Sequence, residues 1–443
     1  MIVYPYLNKF EPINKISQKK LKLNTILSFL KKNLEIIFFS FIFYGLSFFL
    51  IIKEFLIISN YSFLYNFPIL ELYRFLIIII CFFCFFVGRK LLNTSIFLLI
   101  LLNLLFLFSS FFGEIIDFTT PAKIFYGLSS SEKIEDFFFQ KNKIILINTL
   151  NVILPLISIL FLKNSIDKLN RFRELSVKIC DIFLILLVLL LSYKYFSVVI
   201  VNLVSIETIL INLHSSMYFL NIYFIILSDK ILKKNEINIF IVLRILLIFY
   251  CFFIAESILH PLICLLTFVI YFIYSKKNKY ILISFLVFFF IIFISNSFKL
   301  SFFDSELIKN HWDNYDTFSG TIMYSLLVRF EHIEYFIFLS NNLNFLIGNS
   351  IFTDNAYTYP HNLLIDIFIT TGVIGLIIFT YIILNLAVVI KKYVNSDNLF
   401  IILIFFQSFV FSFFSGFLFT NIIFNISLAA CFCFLKPKHS IIL

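Results

Sequence analysis

Residues Tyr357–Phe379 read YTYPHNLLIDIFITTGVIGLIIF and contain the boundary between a polar segment and an apolar helix. Pro360 prevents helix propagation through the residues before it, and Asn362 is a good N-cap. We therefore predict that a helix begins at Leu363 and enters a membrane. Polar residues lie at the N-terminus of this predicted helix. The stretch therefore predicts both a membrane-spanning architecture and the place where chemistry would occur.

Apolar residues dominate the chain of 443 residues well beyond this stretch. The chain is 61% hydrophobic and 14% charged, with a mean hydropathy of +1.02. A soluble protein carries roughly a quarter charged residues. Apolar runs recur at the length of a membrane helix, and they are continuous rather than alternating, which argues against an outer-membrane barrel. We predict an all-α polytopic membrane protein with one integral membrane domain over 1–443.

We predict twelve transmembrane spans, and the second extends outward toward Leu70. The predicted spans are 34–52, 75–88, 91–112, 144–162, 179–201, 209–227, 238–256, 259–274, 280–295, 363–390, 399–415 and 421–435. Most of the 35 lysines and arginines fall in the N-terminal segment and in alternate loops after it. By the positive-inside rule, this predicts a membrane protein with both termini in the cytoplasm. The net charge of +10 therefore reflects topology, and we predict no nucleic-acid partner.

The longest polar segment, residues 296–361, lies between the ninth and tenth predicted spans and forms a large extracytoplasmic loop. Within it, residues 320–340 predict an amphipathic helix that lies along the outer membrane surface. Its apolar stripe consists of Leu326, Phe330, Ile333 and Ile337.

The start of the tenth span brings three polar side chains to the outer face. The N-terminus of a helix has unpaired N–H groups and a partial positive charge, which suit a phosphate. His361 can accept a proton near neutral pH, and Asn362 is a candidate to bind substrate. Asp366 lies one turn into the span, where a carboxylate needs a partner. The alternatives stay open: Asn362 only caps the helix, His361 only lies at an interface, and Asp366 only lies among headgroups.

The amphipathic helix carries two more candidates, Arg329 and His332, three residues apart on a face that differs from the apolar stripe. A guanidinium suits a diphosphate through its fork of donors. Taken alone, Arg329 is better explained as a surface arginine that pairs with Glu331 or extends toward lipid headgroups.

Three polar residues occur in or beside the middle spans. Arg244 lies within the seventh span, where a charge marks a candidate binding site, although extension toward the inner face explains it better. Glu256 and His260 are four residues apart at the outer turn after that span, so they form a second candidate pair for substrate. No third or fourth ligand accompanies them, and we predict no metal site and no cofactor.

The C-terminal motifs resemble those of the O-antigen ligase/polymerase family of bacterial envelope glycan assembly. The resemblance rests on Gly348, on Tyr359-Pro360-His361-Asn362, on Thr371-Gly372-Val373-Ile374-Gly375 and on Ser415-Gly416 followed by Asn421. The family has a loop arginine and a Gly-containing turn before a His-Asn that opens a helix with a Gly-x-x-Gly pair. Such a pair on one helical face lets a neighbour pack closely. Residues 1–300 resemble the family in hydropathy alone.

Two departures from the family pattern are visible. Glu256-Ser257-Ile258 stands where the family often has Ser-Arg-Gly at the opening of a middle span, so that arginine is absent or displaced. Gly348-Asn349-Ser350 stands where the family usually has Gly-x-Gly. The family pattern therefore supports His361 and Arg329 more strongly than any residue before position 300.

The resemblance implies a GT-C-like, metal-independent glycosyltransferase whose donor is a glycan on undecaprenyl diphosphate at the outer face. Arg329 and the start of the tenth helix would hold the diphosphate, and His361 would take the proton from an acceptor hydroxyl. The acceptor would be a lipid-linked chain or lipid A-core. The surrounding partners would be membrane lipids, a chain-length regulator and a flippase. No nucleotide sugar is implied.

Three functions fit this reading. A repeat-unit polymerase and an O-antigen ligase share donor and chemistry, and we favour the polymerase because the departures suit the more variable member. A lipid-linked oligosaccharide flippase would break its helices with Gly or Pro and line a path with polar residues. Apart from Pro155, Gly372 and Gly375 the predicted spans are poor in both, and the polar residues cluster in one outer loop, so we favour an enzyme.

Overall fold

The computed structural model describes a helical membrane protein, and every described element of secondary structure is a helix. The structure describes residues 11–58, 68–87, 93–112, 142, 145–162, 166–201, 218–234, 239–254, 259–275, 345–348, 362–395, 398–414, 418–419 and 421–435. The helices are α1 (Glu11–Ile58), α2 (Ile69–Val87), α3 (Thr94–Phe112), a π-helix (Asn148–Ile153), α4 (Leu154–Ile159), α5 (Ile166–Val201), α6 (Tyr218–Lys234), α7 (Ile239–Ile254), α8 (Leu259–Ser275), α9 (Leu363–Tyr393), α10 (Leu399–Phe414) and α11 (Ile422–Leu435).

The predicted all-α architecture is confirmed for the described residues, and the long apolar helices are compatible with a membrane protein. In the described part of the chain, α1, α2, α3, α5 and α9 are long and apolar enough to cross a membrane, and the other apolar helices are shorter. Every predicted span overlaps a helix except 280–295, which lies outside the described residues. The sixth span was predicted over 209–227: its first part, 209–217, lies outside the described residues, and the helix that begins at Tyr218 continues past the predicted end to Lys234. The helix includes Lys230, which lies beyond the apolar run. The methylene stem of a lysine can lie along an apolar surface while its charged end reaches water.

The fourth predicted span, 144–162, is not one regular α-helix. It contains a π-helix over Asn148–Ile153, which passes into α4 at Leu154. Pro155 lies at the start of α4 and has no N–H to donate to the preceding turn. A single π-turn beside such a residue absorbs the missing hydrogen bond and changes the direction of the side chains before it.

Helices α3 and α9 pack antiparallel along their length. Asn385 Nδ2 donates to Ser95 Oγ over 2.6 Å, and Ser109 Oγ donates to the carbonyl of Thr370. The numbering rises along one helix while it falls along the other. In a membrane, where helices gain no hydrophobic energy from meeting each other, such interhelical hydrogen bonds and close packing hold the pair together.

Phenylalanine packing joins the helices in the interior. The ring of Phe172 on α5 lies 6.3 Å from Phe39 of α1 and 6.0 Å from Phe400 of α10. Phe106 of α3 stacks on Phe419 at a centroid distance of 4.3 Å. Each aromatic contact is worth about 0.5–1.5 kcal/mol beyond area burial, so these rings are a main source of cohesion between helices.

The bundle has two ends that differ in polar content. One carries exposed or half-buried basic side chains, and we call it the basic end: Arg171, Arg173, Lys178, Lys391 and Lys392. The contact between Phe172 and Phe400 places the starts of α5 and α10 together there. The opposite end, which we call the Asn-rich end, carries buried or half-buried amides and one carboxylate: Asn103, Asn148, Asn421, Asn425 and Asp366.

Candidate functional site

The candidate site is built on the first turn of α9, at the Asn-rich end. Asn362 has an extended backbone, and its Oδ1 accepts hydrogen bonds from the N–H groups of Leu364 at 3.1 Å and Ile365 at 3.3 Å. The predicted helix start at Leu363 is therefore confirmed. The cap uses two of the N–H groups that would otherwise face a phosphate, so the backbone here has less capacity for an anion than the sequence implied.

Asp366 lies one turn further along and points into the protein interior, where it is 1% exposed. Its Oδ2 accepts a hydrogen bond of 3.1 Å from the N–H of Leu418, in the turn between α10 and α11. Its Oδ1 has no hydrogen-bond partner within the described residues. A buried carboxylate with one free oxygen is costly unless a ligand or another group completes it.

The middle of α9 is broken at Gly372, which adopts φ 63° and ψ −164°. The break frees N–H groups that a second segment satisfies: Val373 N–H donates to the carbonyl of Phe345 at 3.0 Å, and Ile374 N–H to Leu346 at 3.2 Å. A turn therefore caps the second half of the helix. Backbone at this depth persists because its polar groups are bonded inside the protein.

Glycine is required on both sides of this crossing. Gly348 also has a positive φ, 71°, and a Cβ there would collide with the backbone of Ile369–Thr371. A Cβ at Gly372 would collide with the backbone of Leu346. The predicted close approach of a neighbour occurs at Gly372, and that neighbour is the turn at Leu346–Ile347.

Gly375 has a different role from Gly372. A Cβ at Gly375 would collide with the side chain of Thr371 and lie 3.3 Å from Leu102 Cδ1 of α3. This glycine lies at the α3–α9 helix contact, as expected of a small residue in a membrane helix. The two glycines thus allow one turn and one helix to approach α9.

Hydroxyl groups donate hydrogen bonds to several backbone carbonyls around the break. Thr370 Oγ1 donates to the carbonyl of Asp366, and Thr371 Oγ1 donates to that of Ile367 at 2.6 Å. Ser109 Oγ of α3 donates to the carbonyl of Thr370. The interrupted helix is therefore stabilised by side chains that belong to the same end of the bundle, which makes this end a connected polar region.

Four asparagines extend this region across the bundle, three of them buried and Asn421 half-buried, and we call them the Asn cluster: Asn103, Asn148, Asn421 and Asn425. Asn148 Nδ2 donates to Asn103 Oδ1 at 2.9 Å, and Asn103 Nδ2 donates to Asn425 Oδ1 at 3.3 Å. Asn148 Nδ2 also donates to the carbonyl of Phe419 at 2.6 Å. The cluster joins α3, the π-helix and α11.

The Leu418–Phe419 turn connects the Asn cluster to Asp366. The N–H of Leu418 donates to Asp366, while its carbonyl accepts a hydrogen bond of 2.8 Å from Asn425 Nδ2. The carbonyl of Phe419 accepts from Asn148. A change at the carboxylate therefore reaches the amides through a single turn of backbone.

Acceptor oxygens in this region are left without a partner among the described residues. They are Asp366 Oδ1, Asn148 Oδ1 and Asn151 Oδ1, all on buried side chains. Acceptors without donors match a ligand that supplies hydroxyl or N–H groups, and sugars present many hydroxyls. Asp366 was a candidate from its position in the sequence, whereas Asn148 and Asn151 were not predicted, because the π-helix determines where their side chains lie.

His260 occupies a separate, buried position between α6, α8 and α10. Its Nδ1 lies 2.9 Å from Asn221 Nδ2, which donates to it and so assigns the ring proton to Nε2. The ring stacks near Phe252 at 5.6 Å and Phe411 at 5.9 Å. These contacts are typical of a histidine that is packed in the protein interior. Its predicted partner Glu256 lies outside the described residues.

Arg244 is half-buried and forms an ion pair with a neighbouring helix. Its Nε and Nη2 bond Asp181 of α5 at 2.7 and 2.9 Å, and the Tyr223 hydroxyl donates to the same carboxylate. Sequence analysis missed Asp181, although a carboxylate within an apolar run implies a basic or hydrogen-bonding partner. The pair is distant in sequence from the candidate site on α9 and forms a different region.

The remaining predicted site residues, His361, Arg329 and His332, lie outside the described residues, as do the loop over 296–361 apart from 345–348 and the amphipathic helix. Within the described ranges, no group of three or more His, Cys, Asp and Glu side chains could hold a metal ion. Comparison of the chain with protein-family models, curated proteins and solved structures gives no match. The proposed function is therefore based on the residue types, positions and contacts of this chain alone.

Proposed function

We propose that this chain is a membrane-embedded glycosyltransferase of the O-antigen ligase/polymerase type, which joins glycan repeat units carried on undecaprenyl diphosphate. The observation that carries the proposal is the set of unpartnered acceptors beside the start of α9, headed by Asp366 Oδ1. Acceptors of this kind suit the hydroxyl groups of a sugar. The predicted topology puts this end of the bundle at the outer face of the bacterial inner membrane.

In the proposed reaction, an acceptor hydroxyl attacks the anomeric carbon of the donor sugar, and the bond from that carbon to the diphosphate oxygen breaks. His361 takes the hydroxyl proton, and undecaprenyl diphosphate leaves with the bonding electron pair. In the sequence, His361 directly precedes Asn362, the residue that caps α9. The product is a chain longer by one repeat unit.

Binding of the diphosphate falls mainly to Arg329 in this proposal. The cap by Asn362 already uses the N–H groups of Leu364 and Ile365. The helix dipole still favours negative charge at this end, but it is worth only about 0.3–1 kcal/mol when exposed. A guanidinium that forms two parallel hydrogen bonds adds both energy and orientation.

The Asn cluster supports the sugar-binding part of the proposal. Amides both donate and accept, so Asn148 and Asn151 can exchange an internal partner for a sugar hydroxyl at small net cost. The π-helix brings both side chains into the buried region. Specificity for the repeat unit would then depend on amides from α3, the π-helix and α11.

The direct test is a lipopolysaccharide or capsule gel on a strain that lacks the gene and carries wild type or His361→Ala. A core with a single repeat unit, restored to a ladder only by wild type, supports a polymerase with an essential His361. His439→Ala is the matched control, because it removes a histidine from the C-terminal tail. A normal ladder from His361→Ala at wild-type protein level would overturn the assignment.

The same gel separates the ligase. Bare core together with polymer that accumulates on undecaprenyl diphosphate would mean that the chain transfers finished polymer to lipid A-core. That outcome would keep the glycosyltransferase chemistry and replace the acceptor.

A flippase for lipid-linked oligosaccharide is the second candidate, and one observation favours it. Transporters often interrupt a helix near the middle of the membrane, and α9 is interrupted at Gly372. A strain without a flippase would show bare core and a single lipid-linked unit that stays inaccessible to an externally added glycosidase. A strain without the polymerase would expose that unit to the glycosidase.

A further inference from the structure

Helix α5 contributes to two Arg–Asp–Tyr clusters that differ in exposure. In the first, the buried cluster, Arg173 pairs with Asp229 of α6, and Tyr271 of α8 donates to the same carboxylate. The Asp229 side chain is 4% exposed. This cluster is enclosed by three helices and has the character of an internal packing element.

The second, the surface cluster, consists of Asp181, Arg244 and Tyr223. The side chains of Asp181 and Arg244 are each 31% exposed. Three donor groups reach Asp181: Nε and Nη2 of Arg244 and the hydroxyl of Tyr223. Asp181 Oδ1 accepts two of these hydrogen bonds and Oδ2 accepts one, and the fork to Asp181 does not use Nη1 of the guanidinium. The guanidinium of Arg244 therefore has donors available for a further hydrogen bond, and an anion is the partner that suits them.

Lys178 adds a second positive charge next to this cluster. It is exposed, lies three residues before Asp181 on α5, and makes no ion pair in the described part of the chain. Three residues along a helix bring side chains onto neighbouring faces about 4.5 Å apart along the axis. Glu174, also exposed, lies one turn nearer the basic end and is likewise unpaired among described residues.

The position of Arg244 near the start of α7 lets its side chain extend toward the headgroup region. Arg244 lies five residues after the start of α7 at Ile239, which is roughly 7.5 Å along the axis. An arginine or lysine side chain spans that distance and reaches the interface from within an apolar run. The surface cluster and Lys178 can therefore meet a phosphate at the basic end.

Apolar side chains continue from the surface cluster toward the other end. Ile182 and Ile185 of α5 are each 58% exposed, and Leu246 of α7 is 45% exposed. The Ser192 and Tyr250 hydroxyls lie 3.0 Å apart, so α5 and α7 stay adjacent beyond the ion pair. An exposed apolar surface that begins at a basic, donor-rich group matches a phospholipid, whose headgroup and acyl chains have the same order.

We propose that Arg244 and Lys178 bind the headgroup phosphate of an anionic phospholipid, with its acyl chains along α5 and α7. Basic groups between membrane helices are a recurrent means of binding such headgroups. This site is separate from the α9 region, so it stands whether or not the chain is a glycosyltransferase.

The test is native mass spectrometry of the full-length protein in detergent, titrated with phosphatidylglycerol or with phosphatidylcholine of the same acyl chains. Wild type should bind phosphatidylglycerol more tightly. Lys178→Gln should weaken that binding about fivefold. Arg244→Lys should weaken it several-fold, because lysine keeps a charge for Asp181 but lacks the Nη1 donors that the fork to Asp181 does not use.

Two matched controls sharpen the experiment. Lys391→Gln makes the same charge change at an exposed position of the basic end on α9, and Arg173→Lys makes the same side-chain change in the buried cluster. Both should bind phosphatidylglycerol like wild type. Thermal melting of each variant verifies folding, and Lys178→Gln removes no contact within the described part of the chain.

Three results would overturn the proposal. Equal binding of the two lipids by wild type would remove the preference for an anion. Equal losses for Lys178→Gln and Lys391→Gln would show general attraction to the basic end without a site. Displacement of phosphatidylglycerol by inorganic phosphate at millimolar concentration would assign the site to free phosphate and not to a lipid.

Discussion

Two Arg–Asp ion pairs lie toward the basic end of the bundle, whereas the described polar contacts of the Asn-rich end are made by amides, hydroxyls, backbone groups and one carboxylate. At the basic side, Asp181 and Asp229 each have an arginine and a tyrosine as partners. At the other end, Asp366 has a single N–H donor, and Asn103 and Asn148 bond each other. The charged contacts fix helix positions, and the neutral contacts leave acceptors for a ligand.

The energetic difference behind this comparison is the cost of exchanging a partner. Separating a buried ion pair leaves an uncompensated charge, which is strongly destabilising. Exchanging one amide hydrogen bond for another changes little, since the net value of each is about 1 kcal/mol. A site that must admit and release a polar substrate is therefore better built from amides than from ion pairs.

The largest effect should follow from breaking the buried cluster. Asp229→Asn leaves Arg173 without its anionic partner, and we expect a loss of roughly 3–5 kcal/mol in the free energy of unfolding. The measurement is unfolding of the detergent-solubilised protein by denaturant. Asp181→Asn is the comparison and should cost less, because its cluster is 31% exposed and better screened. Equal losses would contradict the distinction between the two clusters.

Breaking the helix crossing at the Asn-rich end should have the next largest effect. Gly372→Ala puts a side chain on a residue with positive φ and into the backbone of Leu346, so we expect a loss of stability of about 1–3 kcal/mol from the backbone conformation alone. Gly348→Ala should act similarly. Because both glycines serve one contact, the double variant should lose less than the sum of the two. Additive losses would mean that the two positions act independently.

Some of this architecture follows from local sequence, and the start of α9 is the clearest case. Asn362 caps residues two and three positions later, so a short stretch contains all that is needed to predict the helix start. Arg244 was visible as an intramembrane charge, but its partner Asp181 is 63 residues away. No local pattern could join them.

Gly372 and His260 show a second limit of sequence reasoning. A Gly-x-x-Gly pair occurs both where a helix packs closely and where a helix breaks, and the choice depends on where Phe345–Gly348 lies. His260 was placed at an outer turn, yet Asn221 and aromatic rings enclose it because α6 and α10 pack beside it. Both outcomes depend on tertiary contacts that the residue types alone do not specify.

A smaller effect is expected in the Asn cluster. Asn148→Ala leaves Asn103 Oδ1 and the Phe419 carbonyl without their donor, at a cost of about 1–2 kcal/mol for an interhelical hydrogen bond in a membrane. The proposal also expects a much shorter glycan ladder. Asn385→Ala breaks a single bond to Ser95 far from the site, so it should lose similar stability and keep the ladder. Equal ladders from both variants would argue against a substrate role for the cluster.

The smallest change in stability, and the sharpest test of the α9 start, comes from the cap. Asn362→Ala removes the acceptor for Leu364 and Ile365 and should cost about 1 kcal/mol. Asn362→Asp keeps that acceptor, so thermal melting should remain near wild type. Its negative charge would nevertheless stand where the proposed diphosphate binds, and the glycan ladder should shorten. If Asn362→Asp supports a full ladder, the diphosphate does not approach this helix start, and the contrast between a structural cap and a substrate contact is settled in favour of the cap.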